Sequence, residues 1–167
     1  TQNPVYKSIG RYHPFDGDGM IHMLALRDGK ASYRNRFVQT KGLGAEIEAN
    51  RRLWAGLMED PRLSTRPGWG AHGSIKDASS TDVVVHAGKA LTAYYQCGEG
   101  YRMDPFTLEQ QGIPPWSPLD GISAHMKVDE ATGELLFFNY SKHAPYMHYG
   151  VVDRNDRLVH YVPIPLP

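Results

Sequence analysis

The chain has 167 residues with 18 basic and 18 acidic side chains, so no net field recommends nucleic acid or an anionic membrane as its partner. Its apolar content of 41%, with 11% aromatics, fits one packed globular unit rather than a disordered chain. The single cysteine, Cys97, excludes an internal disulfide framework and fits a reducing, cytoplasmic setting, and no apolar run approaches the roughly 18 residues of a membrane span.

The start on Thr1-Gln-Asn-Pro4 and the stop on Val162-Pro-Ile-Pro-Leu-Pro167 read as cuts in a longer protein. Asp16-Gly-Asp-Gly19 comes first, directly before "MIHMLAL". Its glycines read as the positive-φ positions of a tight turn, and its carboxylates as partners for their own backbone. Further strand signals follow in "ASYRNRFVQT", "DVVVHAG", "KALTAYYQC", "ELLFFNYS", "YGVVD" and "RLVHYVPI", all rich in β-branched and aromatic residues. Turn chemistry at 28–30, 87–89, 131–134 and 153–156 joins them as hairpins. Gly88 and Gly133 lie 45 positions apart, and Asp104 and Asp153 lie 49 apart, close to the length of one four-stranded propeller blade. The fold class is therefore all-β. A repeated blade accounts for the spacing, and a plain antiparallel meander gives a similar one.

Residues 45–58 break the β pattern. Ile47, Leu53, Trp54, Leu57 and Met58 recur at near-helical spacing among polar residues, which predicts a short amphipathic helix stopped by Pro61. Residues 61–81 carry no periodicity and read as a long loop. In an all-β protein such a helix and loop form a cap that borders a substrate entrance. Trp54 and Met58 become its candidate substrate contacts.

Eight histidines are present, at 13, 22, 72, 86, 125, 143, 148 and 160, and none lies in an H-E-x-x-H pair; nor is there a C-x-x-C. The G-x-S-x-G elbow and the phosphate-binding G-x-x-x-x-G-K-[ST] loop are also missing, which removes the usual support for hydrolase and nucleotide readings. Taken singly, each histidine reads as a surface or hydrogen-bonded imidazole. His125 differs because it follows two small residues and precedes a short strand and a hairpin, which puts it at the inner start of a blade. A propeller converges one such histidine from each of several blades on its axis. Neutral imidazoles there suit Fe(II) as well as zinc or copper.

Four segments, "FDGDGMIHMLAL", "YRNRFVQT", "VVVHAGKALTAYYQCGEGYRMDPFTLE" and "SAHMKVDEATGELLFFNYS", span nearly the whole chain. In order and spacing they resemble the carotenoid cleavage oxygenases, a family that includes lignostilbene- and isoeugenol-cleaving enzymes. The resemblance implies an N-terminal part, 1–167, of a seven-bladed β-propeller with a cap over a tunnel. It also implies Fe(II) held by four histidines, of which His125 is the first, with the other three beyond Pro167. The implied reaction uses O2 to cleave an alkene in an apolar conjugated substrate, and the remainder of the same protein completes the site. His143, His148 and His160 fall outside the family's ligand motifs, and His22 reads as a packing or hydrogen-bonding residue. The stilbene-cleaving branch places a phenolate-holding lysine where this chain has Tyr95-Gln96, so Tyr95 is a candidate substrate contact while the charged phenol clamp is absent. Asp129 and Glu134 read as turn and surface charges. A peripheral membrane contact near Trp54 stays compatible with this reading, and the rival is a propeller fragment or ligand-binding module that binds no iron.

Overall fold

The structure, a computed structural model, describes residues 2–69 and 73–166. His72 and the middle of the 61–81 loop lie outside the described residues. Three antiparallel sheets make up the fold. The first joins β1 (Gln2–Asn3), β2 (Asp18–Arg27) and β3 (Lys30–Phe37) in the order β1-β2-β3. The second is the meander of β4 (Asp82–His86), β5 (Lys89–Ala93), β6 (Tyr101–Met103) and β7 (Gln110–Gly112). The third runs through β8 (Lys127–Asp129), β9 (Glu134–Tyr140), β10 (Tyr146–Val152) and β11 (Leu158–Pro165).

The hairpins follow local chemistry. Arg27 pairs with Lys30 and His86 with Lys89, which leaves two-residue loops whose central residues, Asp28-Gly29 and Ala87-Gly88, all have φ between 46° and 73°. Positive φ at both positions is the turn whose twist matches that of paired strands. These loops and the Gly133 turn mark one end of the sheets. The long connections, 38–81, 94–100 and 113–126, gather at the other end, where the strands β4 and β8 begin.

One core lies between the two four-stranded sheets, where Leu91 and Ala93 of β5 meet Trp116, Ile122, Met126, Leu135, Phe137 and Val152. Phe137 lies flat across Gly150 of the neighbouring strand, and a methyl group there would fall 2.2 Å from its ring. Two contacts clamp β4 to the third sheet. At one end His86 Nε2 lies 3.1 Å from the Gly133 carbonyl, and at the other the Asp82 carboxylate accepts the His125 N–H.

Two local expectations need correction. The helix, α1, is Lys41–Ala49 and not 45–58. Thr40 caps its start, its hydroxyl accepting the Leu43 N–H, and Asn50 ends it in the left-handed conformation, donating to the carbonyls of Glu46 and Ile47. The apolar residues Leu53 and Trp54 belong to a buried loop whose N–H groups find side-chain acceptors. Leu53 donates to Glu46, Ala55 to the Ser64 hydroxyl, Gly56 to Glu59 and Leu57 to Asp16. Buried backbone needs a partner for every donor, and here side chains replace the helical ladder.

Nor is Asp16-Gly-Asp-Gly19 a positive-φ turn, since Gly17 has φ −76° and Gly19 already lies within β2. Glycine is needed there for close approach. A Cβ at Gly17 would meet the Asn3 backbone at 2.8 Å, and one at Gly19 would meet the Ser79 carbonyl oxygen at 2.4 Å. Among the described residues no helix is long and apolar enough to cross a membrane.

Candidate metal ligand and cap

Residues 122–126 carry His125 along the edge between the two four-stranded sheets. Each backbone N–H from 122 to 125 is bonded: Ile122 to the Gly98 carbonyl, Ser123 to Phe138, Ala124 to Tyr94, and His125 to Asp82 Oδ2 at 2.8 Å. The Ser123 hydroxyl adds a bond to the Tyr95 carbonyl, and Lys127 Nζ reaches the His125 carbonyl at 3.3 Å. His125 itself sits at φ +69°. That conformation is rare for a residue with a Cβ and marks a position where the surroundings dictate the backbone. Its backbone is thus fixed on every side. The imidazole is exposed and has no hydrogen-bond partner among the described residues.

The other described histidines are engaged or exposed. His22 shares a 2.5 Å hydrogen bond with the Tyr33 hydroxyl. His13 caps the turn Pro14–Asp16, accepting the Phe15 N–H at Nδ1. His148 stacks on Tyr161 at 4.7 Å and contacts Asn139. His143 and His160 are exposed. Among the described residues no group of three or more His, Cys, Asp or Glu side chains converges in a way that could hold a metal ion. His125 is thus a lone exposed imidazole on a tightly held backbone.

A cluster of aromatic rings lies beside this edge. Tyr95 follows β5 and bears aromatic contacts on two sides, with Phe15 at 6.0 Å and Tyr94 at 4.9 Å between ring centroids, while His13 packs edge-on against Phe15 at 5.0 Å. Phe15 is 48% exposed and Tyr94 is buried, so the row of rings leads from the surface inward. Burial pushes the Tyr94 and Tyr95 hydroxyls above the ordinary tyrosine range. Tyr95 therefore remains a neutral phenol, its oxygen accepting from Gln96 Nε2 at 2.6 Å. A neutral hydroxyl still has a proton to donate to a ligand oxygen, but it holds no anionic group. Cys97 is buried nearby and accepts the Tyr140 N–H, and burial pushes its thiol up to about 11, which leaves it without nucleophilic thiolate at neutral pH.

The three candidate contacts part company here. Tyr95 lies next to the His125 loop through its carbonyl, which accepts from Ser123 and from the Tyr140 hydroxyl. Met58 is 50% exposed, and the preceding Leu57 is tied to Asp16, the neighbour of Phe15. Trp54 is 2% exposed, its indole N–H donating to the Pro67 carbonyl and its ring packed on Trp69 at 5.3 Å. It is interior packing rather than an exposed contact surface. Nothing in the sequence singles out Phe15, which stands next to the glycine-rich stretch and 80 positions from Tyr95.

Residues 1–167 match the family described as retinal pigment epithelial membrane protein, RPE65. The chain is 32% identical over 177 residues to carotenoid 9,10(9',10')-cleavage dioxygenase 1 of Pisum sativum, covering 97% of this chain and 33% of that protein. It is 35% identical over 133 residues to lignostilbene-alpha,beta-dioxygenase isozyme III of Sphingomonas paucimobilis, covering 76% and 26%. The crystal structure of Pseudomonas brassicacearum lignostilbene dioxygenase superposes with a TM-score of 0.82 at 26% identity, covering 99% of this chain and 35% of that one. The chain thus spans about a third of the length of the relatives it matches. With its antiparallel sheets, one α-helix among the described residues and a family match over the whole length, the chain belongs to the RPE65 family of carotenoid cleavage oxygenases.

Proposed function

We propose that this chain is the N-terminal part of a non-haem Fe(II) dioxygenase of seven-bladed propeller architecture that cleaves an alkene in an apolar conjugated substrate with O2. The observation that carries the reading is His125, an exposed imidazole on a backbone fixed at φ +69°, at the loop-bearing end of two adjacent sheets. The donor fits the group. A neutral imidazole with both ring nitrogens unengaged suits a borderline cation, and one such donor from this third of the protein leaves the others to the remainder. Bound iron supplies activation of dioxygen.

The residues present do the positioning. Residues 122–126 hold the His125 imidazole outward, and the aromatic row of Phe15 and Tyr95 offers flat faces along which a conjugated chain or ring stacks. The neutral Tyr95 hydroxyl orients a hydroxyl-bearing end by a hydrogen bond rather than by an ion pair. This favours apocarotenoid-like or neutral phenolic substrates over phenolates. The deciding experiment uses the full-length protein: iron per chain after purification, and oxygen uptake with an apocarotenoid, a hydroxystilbene and isoeugenol. About one iron and carbonyl products from one of the three support the reading. An iron-free protein that consumes no oxygen with any of them, even after anaerobic Fe(II) loading, overturns it.

A further inference from the structure

We propose that Asp82 is the positioning residue for His125, the device that sets the direction of its imidazole. The inference rests on the reading of His125 as a metal ligand. Asp82 opens β4, the first strand of one four-stranded sheet, while His125 lies just ahead of β8, the first strand of the next. The Asp82 carboxylate bridges the two: Oδ2 accepts the His125 N–H at 2.8 Å and Oδ1 accepts the N–H of Val83 at 2.8 Å. A bond from N–H to a carboxylate is stronger than one to a carbonyl. It fastens the one non-glycine residue of the 113–126 connection whose φ is positive.

The geometry gives that bond a consequence for the side chain. At φ +69° the Cβ of His125 projects on the opposite side of the chain from where an extended backbone would send it. Ser123 and Ala124 are already tied to Phe138 and Tyr94, so the loop is pinned up to residue 124, and the His125 N–H is the next donor along the chain, two residues before β8. Without an acceptor there, the peptide between Ala124 and His125 is free to rotate and the imidazole loses its heading. The far end of the same strand pair is held independently by His86 and Gly133, so the sheets stay together when Asp82 is changed. Asp82 acts on direction, not on assembly. Conserving an acceptor should conserve part of the effect, because the carbonyl oxygen of asparagine takes the His125 N–H at the same place.

The test uses the full-length protein and its variants D82A, D82N and H125A. The readouts are iron per chain, anaerobic Co(II) affinity, the visible Co(II) spectrum and thermal melting without metal. Expected are a loss of Co(II) affinity of about 10- to 100-fold in D82A with a shifted spectrum, the range typical of residues that orient a ligand. D82N should recover part of the affinity, and the melting of both metal-free variants should stay near that of the parent. Unaltered affinity and spectrum in D82A overturn the proposal. Should D82A fail to fold, D82N decides: parental affinity and spectrum overturn the proposal, while weakened binding in a folded protein supports it. H125A that binds Co(II) like the parent overturns the ligand reading itself, and the proposal with it. H125A without metal beside a D82A with full metal defeats the positioning role alone.

Discussion

The ammonium of Lys76 lies 2.5 Å from the Glu46 carboxylate, and both side chains are almost wholly buried. The same ammonium reaches Asp18 at 2.5 Å, so one lysine joins α1, the start of β2 and the chain leading into β4. Glu46 spends its other oxygen on the Leu53 N–H, and Asp18 accepts the Val5 N–H. Replacing Lys76 with methionine keeps the volume but leaves two carboxylates facing each other away from water. Breaking a buried pair from one side costs about 3–5 kcal/mol. The denaturant midpoint of K76M in the full-length protein should fall accordingly. A shift corresponding to less than about 1 kcal/mol, the worth of an exposed pair, would show that this site is wet.

Asp77, next in the chain, makes stability depend on pH. Burial pushes its carboxyl up to about 7, against the bonds it accepts from the N–H groups of Ser79 and Glu99. The unfolded chain releases that proton near about 3.9. The folded state therefore binds the proton more tightly, and the associated stabilisation is complete below about pH 4 and lost as pH rises through about 7. Asparagine at this position carries no such proton. Melts of the parent and D77N at pH 5, 6 and 7.5 should show the parent's relative stability declining with pH, and a constant difference across the three would exclude the assignment.

Trp54 and Phe15 contrast in burial, and under the proposed function they differ in role. W54A removes a buried indole that packs on Trp69 and bonds Pro67, a change that costs about 3–5 kcal/mol. F15A removes a half-exposed ring against Tyr95. In the full-length enzyme F15A should raise KM by about tenfold or more, the range of a lost apolar contact, with iron content and melting unchanged. W54A should lower the melting temperature first. A W54A variant of parental stability with altered substrate preference would reverse the two roles.

What the sequence revealed and what it hid follow from range. The hairpins at Asp28-Gly29 and Ala87-Gly88 were legible because a two-residue turn is a local bargain between adjacent residues. The short strands β6, β7 and β8, three residues each, owe their state to neighbours already paired, and nothing local announces them. Gly17 and Gly19 look like a turn in sequence because glycine has two uses, and the second, close approach to Asn3 and Ser79, appears only in three dimensions. The helix was displaced because buried loop residues such as Leu53 and Trp54 mimic a helical stripe, whereas Thr40 and Asn50, its true caps, are ordinary polar residues in sequence. His125 stood out from its motif. Asp82, 43 positions earlier, carried no mark at all.

If His125 is the ligand proposed above, one substitution there separates stability from metal binding. A histidine at φ +69° is held in a conformation that costs a residue with a Cβ about 1–2 kcal/mol and costs glycine little. Its ring is exposed and without a hydrogen-bond partner among the described residues, so removing it leaves no cavity. Glycine gains freedom in the unfolded chain, which offsets up to about 1 kcal/mol of that relief. H125G in the full-length protein should thus melt, free of metal, at or slightly above the parent, while H125A, which keeps a Cβ, should match the parent. Both should purify without iron and consume no oxygen in the presence of substrate. An H125G protein that retains iron would remove His125 from the centre, and one that is markedly destabilised without metal would show the ring packing against the rest of the chain instead.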